Sequence, residues 1–173
     1  DLILVTTRHE THGSIVIDAL NAGKHVFVEK PLCTNIEELQ AIKDFYKDGT
    51  YGKPTLFVGF NRRFSPCAQE LKKQAAQRLN PLYATYQMNA GRIEADHWVH
   101  KNGGRIVGEA CHIVDFMTFL TGCSVKSYTT QSLKPSTAYF SCSDNQNITL
   151  EYEDGSVCSI NYIAVGSKEY PKE

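Results

Sequence analysis

The 173-residue chain has 42% apolar residues and a formal net charge of −1, which is enough apolar material for a buried core. Its basic residues form no long run, so a nucleic-acid partner has no electrostatic support. No apolar run approaches the roughly 20 residues that span a bilayer, nothing has the form of a signal peptide, and the six cysteines lie at least a dozen positions apart with no C-x-x-C pair. No nucleic acid, no membrane, no metal and a cytoplasmic location are therefore expected.

The chain opens on "DLILVTT", and the apolar run Leu2 to Val5 reads as an interior strand of a parallel sheet with neighbours on both sides. A helix follows, with Thr11 as the expected N-cap and Gly23 at the position that would stop it. A strand over His25 to Val28 completes a βαβ unit, whose helical crossover implies parallel pairing. Asn35 with Glu38 three residues on forms a capping-box pattern for a second helix, about Ile36 to Lys47. Thr55 to Phe60 is a further strand that runs into Asn61-Arg62-Arg63.

Ser65-Pro66 is an N-cap and N1 pair for a helix reaching about Leu79, closed by Asn80-Pro81. Leu82 to Met88 alternates as a half-buried strand. The segment "GGRIVGEACHIVDFMTFLTG" predicts one helix from about Ile106 to Leu120, with Gly122 just past its end. Three more strands are expected at 124–132, 147–152 and 156–163, the last two joined by the hairpin signal Glu153-Asp154-Gly155. The predicted architecture is α/β: the C-terminal part of a Rossmann-like parallel sheet over residues 1–64, then an α+β domain with a mainly antiparallel open sheet over 65–173.

Three clusters of reactive residues stand at the ends of apolar elements. Thr7-Arg8-His9 with His12 fills the turn between the first strand and its helix, where backbone N–H groups attract anions; His12 equally suits the first turn of a surface helix. Glu29-Lys30-Pro31 ends the second strand, where a desolvated lysine polarises a substrate oxygen, or where a plain surface ion pair sits. Glu109, His112 and Asp115 recur every three residues on one helix, so that both carboxylates would flank the imidazole as a general base requires. An acid at a helix N-terminus would explain Glu109 without explaining His112. Trp98 stacks on a sugar or covers the core, and Arg62 and Arg63 contact ligand or form salt bridges; the sequence does not choose.

Taken together, "VTTRHETH", "AGKHVFVEKP", "VGFNRRFSP" and "GGRIVGEACHIVDFMTFLTG" resemble, in order, four segments of the Gfo/Idh/MocA family of NAD(P)-dependent oxidoreductases. The resemblance runs from residue 1 to about 163. It implies a catalytic Lys30 and His112, with Glu109 taking over from an acid that many members carry at the position of Gly108. It implies cofactor contacts from Thr7, Arg8, His12, Glu29, Lys30 and Pro31, the Lys-Pro bond often being cis. Substrate contacts would come from Lys30, Arg63, Trp98, His112 and Asp115. The cofactor would be NAD or NADP, and the substrate a secondary alcohol of a small-molecule polyol, sugar, nucleotide sugar or cyclitol.

No G-x-G-x-x-G turn occurs in the chain, and roughly 70 residues of Rossmann fold are expected before Asp1. The chain is therefore expected to be an excerpt, truncated at the N-terminal Rossmann half and at the C-terminus, and inactive by itself. A homo-oligomer through the sheet of the second domain is expected, and fusion to another dehydrogenase domain is a further possibility. The competing reading is a non-catalytic module or oligomerisation scaffold that lacks a complete cofactor site.

Overall fold

The computed structural model describes residues 1–94, 96–101, 103–137, 144–167 and 169–173. Two sheets organise the chain. The first holds β1 (Leu2–Val5), β2 (His25–Val28) and β3 (Leu56–Val58), all parallel, in the order β1-β2-β3. Helix α1 (His9–Asn21) joins the first two strands and α2 (Ile36–Phe45) lies between the second and third. Val5, Val16, Leu20, Val26, Val28 and Ile42 close a core between this sheet and the two helices. A short 3₁₀ turn (Asn61–Phe64) then leads to α3 (Pro66–Ala76).

The second sheet has the order β4-β7-β6-β5, built from Tyr83–Asn89, Val157–Ile163, Gln146–Tyr152 and Val125–Ser132. The β5·β6 and β6·β7 pairings are antiparallel, and β4 runs parallel to β7. Helix α4 (Cys111–Thr121) buries Ile113 and Met117 against Tyr152, Ile160 and Tyr162 of this sheet. Cys142 and the other residues at 138–143 lie outside the described residues.

Local signals act where the sequence places them. Asn35 accepts a hydrogen bond from the Glu38 N–H at 2.8 Å, and Ser65 caps α3 with proline at N1. Gly23 takes φ +70° beyond α1, and its N–H and that of Lys24 donate to the carbonyls of Leu20 and Ala19, the paired bonds of a Schellman end. Gly155, at φ +83°, turns the β6–β7 hairpin.

Several expectations are corrected. The N-cap of α1 is Arg8 rather than Thr11, whose hydroxyl instead donates back to the Arg8 carbonyl from within the first turn. Glu38 does not complete the capping box: its carboxylate packs where a side chain at Gly13 of α1 would stand. Helix α2 ends at Phe45, two residues early, and α3 ends at Ala76, three residues early. Strand β1 pairs with β2 among the described residues, and Leu2 and Leu4 are exposed on the face of the strand opposite buried Val5. The predicted helix over 106–120 opens instead with a wider π turn, Ile106–Ala110, before α4 begins. Such turns displace side chains relative to the regular helical spacing.

Candidate active site

The three parallel strands end together at Val5, Val28 and Val58, and the turns that follow them define one edge of the sheet. Backbone bonds hold the turns in place, Glu29 N–H to Val5 O at 2.9 Å and Gly59 N–H to Val28 O at 2.7 Å. In doubly wound sheets ligands bind at this carboxyl edge. The Lys30-Pro31 bond is cis. His12 is fully buried behind the turns: Nδ1 lies 2.7 Å from the Pro31 carbonyl and Nε2 lies 3.0 Å from the Thr7 carbonyl. Both ring nitrogens are thus engaged by the backbone, and the imidazole clamps one turn to the other instead of presenting a polar atom to the cleft.

Lys30 reaches across to the second half of the chain. Its ammonium donates to the carbonyl of Gly108, inside the π turn, at 2.8 Å. His112 follows one turn later, at the start of α4. Its ring makes no hydrogen bond among the described residues, its Nδ1 is buried without a partner, and Phe60 meets it edge-on at 6.2 Å. Burial pushes the His112 pKa down to about 4, helped by the positive charges of Lys30 and Arg62. The ring is therefore neutral at neutral pH and able to accept a proton. Beside it, burial raises the Cys111 thiol to about 11 and keeps it protonated.

The carboxylates expected to flank His112 are engaged elsewhere. Glu109 receives the Tyr162 hydroxyl at 3.0 Å and Arg105 Nε at 3.3 Å. Arg105 is 1% exposed, lies over the Tyr162 ring, and donates to the carbonyls of Gly91 and Ala90 at 2.7 and 3.0 Å. Asp115 is gripped by both arms of the Arg63 guanidinium, which rests on Phe119. The acid–imidazole–acid row inferred from three-residue spacing thus does not form. The π turn rotates Glu109 inward, and Arg63 at the end of the 3₁₀ turn captures Asp115.

At the mouth, Trp98 is 36% exposed. Its ring meets His9 at 5.2 Å and carries the Arg8 guanidinium at 5.8 Å. Thr7 pairs its hydroxyl with Thr11 at 2.7 Å. A cavity of about 470 Å³ opens along the other side of the π turn, lined by Pro31, Cys33, Phe60, Val107, Cys111 and Asp115 among others. Among the described residues no group of three His, Cys, Asp or Glu side chains is placed to hold a metal ion, and no helix is long and apolar enough to cross a membrane.

Sequence reasoning did not single out Arg105, Tyr162 or Phe60, and it named His9 only as part of the turn after the first strand. The i, i+4 spacing of Arg105 and Glu109 was a readable signal for a helical ion pair. Tyr162 and Phe60, by contrast, come from distant elements.

Comparison with known proteins fits this geometry. Residues 1–50 match the Gfo/Idh/MocA family model, described as an oxidoreductase family with an NAD-binding Rossmann fold. The NAD⁺-dependent scyllo-inositol 2-dehydrogenase of Bacillus subtilis is 31% identical over 131 residues, which is 73% of this chain and 37% of that enzyme. Among solved structures, myo-inositol dehydrogenase from Lactobacillus casei, in complex with NAD(H) and myo-inositol, superposes with a TM-score of 0.80 at 24% identity. It covers all of this chain, which covers 50% of it, and shows the shared fold. The WlbA dehydrogenase from Bordetella pertussis, in complex with NADH and UDP-GlcNAcA, gives a TM-score of 0.77 at 25% identity over 99% of this chain and 54% of its own. The chain spans about half the length, or less, of the curated relatives it matches.

Proposed function

This chain belongs to the Gfo/Idh/MocA oxidoreductase family, and on that premise we propose that it carries the alcohol-activating side of an NAD(P)-dependent dehydrogenase. The substrate is a secondary alcohol of a sugar, nucleotide sugar or cyclitol. The carrying observation is the Lys30–Gly108 contact, which brings an ammonium at the end of β2 to the turn that leads into His112. Inositol dehydrogenases among the relatives support the substrate class.

The residues fit a nicotinamide group. Among the described residues Lys30 has no carboxylate partner, and the ring of His112 has no hydrogen-bond partner. Thr7, Glu29, Lys30 and Pro31 would hold the nicotinamide half, with His12 locking the turns behind them. When bound, the cofactor supplies the acceptor for the hydride. Residues 1–64 would serve the cofactor and 65–173 the substrate.

His112 takes the hydroxyl proton on Nε2, because Nδ1 is buried. As the O–H bond breaks, the oxygen pair forms the carbonyl, and the C–H pair departs as hydride. Lys30 stabilises the alkoxide-like oxygen in that transition state without itself losing a proton. Arg63 and Asp115 fix the far wall as a pair. Glu109, held by Arg105 and Tyr162, sets the π turn that presents Gly108 to Lys30 and acts as a positioning residue. Exposed Tyr83 on β4 and Tyr128 on β5 support assembly into a homo-oligomer through the second sheet.

The test is steady-state NAD(P)H formation by the protein expressed from its complete reading frame, with His112→Ala and Lys30→Ala. Each variant is expected to lose about 100-fold or more in kcat. Activity within a few-fold of the parent in both would refute the assignment and favour a non-catalytic module.

A further inference from the structure

One corner of the cleft has a composition that proton transfer does not require. A Cβ at Gly108 would lie 2.9 Å from Cε1 and 3.1 Å from Nδ1 of His9. The imidazole therefore fills the space that any other side chain at position 108 would enter. His9 is held edge-on by the Trp98 ring at 5.2 Å and by His12 at 6.0 Å. Arg8 extends over the outer face of the same indole, 5.8 Å from its centre.

The charges at this corner are unbalanced. Among the described residues neither Arg8 nor Lys30 forms an ion pair, whereas Arg63 is matched by Asp115 and Arg105 by Glu109. Burial, and then the Lys30 charge and His12, lower the His9 pKa; Glu10 and Glu109 act in the opposite sense and more weakly. His9 thus stands as a neutral ring near two cations, one exposed and resting on Trp98, the other anchored on Gly108.

Resting on the dehydrogenase reading above, we propose that Arg8, His9 and Trp98 form a specificity subsite for a carboxylate carried by the sugar or cyclitol substrate. Arg8 supplies the charged, fork-shaped donor that fits a carboxylate. His9 supplies a neutral hydrogen bond that leaves the substrate charge unopposed by any acid at position 108. Trp98 gives the apolar face against which the ring of the substrate lies. Glycine at 108 is what makes room for this arrangement.

The experiment is steady-state kinetics of the protein expressed from its complete reading frame, with matched neutral and charged substrates. These are D-glucose against D-glucuronate, myo-inositol, and D-glucose 6-phosphate as the phosphate arm. The readout is the ratio of kcat/KM for acid over neutral substrate, which cancels losses common to both, including any in cofactor binding. The parent is expected to favour the acid by about tenfold or more, the scale of one charge-assisted contact. Arg8→Ala, at an exposed position, should collapse the ratio, and Arg8→Lys should restore part of it. His9→Ala and Gly108→Ala should each lower it, the second by displacing His9. A preference for neutral substrates, or variants that leave the ratio unchanged, overturns the subsite while the dehydrogenase stands. Preference for the phosphate over the carboxylate overturns the assigned ligand. Formation of no NAD(P)H from any of the four overturns the subsite as assigned, since no free acid sugar is then a substrate, whereas the dehydrogenase reading falls only on the His112→Ala and Lys30→Ala comparison.

Discussion

Lys30 and Gly108 stand 78 positions apart, and a 2.8 Å hydrogen bond from the ammonium to the carbonyl joins them. This contact fastens the carboxyl end of β2 to the turn that introduces α4, one turn before His112, and the charge of Lys30 is near enough to help lower the His112 pKa. Lysine is a compact point charge on a flexible stem, and arginine is a planar fork that needs different geometry. Lys30→Ala is expected to lose about 100-fold or more in kcat, and Lys30→Arg to remain impaired by about tenfold, since charge without placement recovers little. Equal activity of the arginine variant and the parent would show that position is irrelevant and charge suffices.

His112 makes a pH prediction with a definite sign. Its pKa falls from 6.5 to about 4 in the folded chain, chiefly through burial and then through Lys30. The proton-accepting form therefore persists into acid, and the acidic limb of kcat/KM attributable to this group is expected near pH 4. Between pH 6.5 and about 4 the unfolded chain binds a proton at this position that the folded chain does not, so stability falls as pH falls through that window. Urea unfolding from pH 7 to 4.5 measures this slope, and His112→Gln should flatten it. A slope unchanged in the variant would assign the effect to other groups.

Arg105 is buried among Glu109, Tyr162 and two backbone carbonyls. Replacing it with leucine leaves the Glu109 carboxylate with the Tyr162 hydroxyl and the more distant Lys172 ammonium, and frees two backbone acceptors. Removing one partner of a buried pair costs about 3–5 kcal/mol, so Arg105→Leu should lower the urea midpoint strongly. A loss below about 1 kcal/mol, the scale of an exposed pair, would mean that water reaches the network.

The two helix starts in the first half of the chain separate a true cap from a look-alike. Asn35 accepts from the Glu38 N–H, and Asn35→Ala is expected to cost about 1 kcal/mol. Thr11 lies inside the first turn and bonds back to the Arg8 carbonyl, so Thr11→Ala should cost roughly 0.5 kcal/mol or less, as at an ordinary surface position. Thermal unfolding of the two variants compares them directly, and the reverse order would contradict both placements.

The sequence by itself determined the order of elements and most of their ends. Caps, Schellman glycines and hairpin turns are local: Asn35, Ser65, Gly23 and Gly155 each satisfy backbone groups within a few residues, so their meaning survives without the rest of the fold. The turns carrying Lys30 and His12 were legible for the same reason, as motifs of contiguous residues. Tertiary structure decided which polar groups meet. Regular helical spacing placed Glu109 and Asp115 beside His112, but one wide turn rotated Glu109 to Tyr162, and Arg63 from another element took Asp115. The packing of His9 on Gly108 spans 99 positions and follows no local pattern. A side chain's neighbours within its own turn are set by chain geometry, whereas its partners across the cleft depend on how two sheets bring their ends together, and a shift of one residue in helical phase is enough to exchange them.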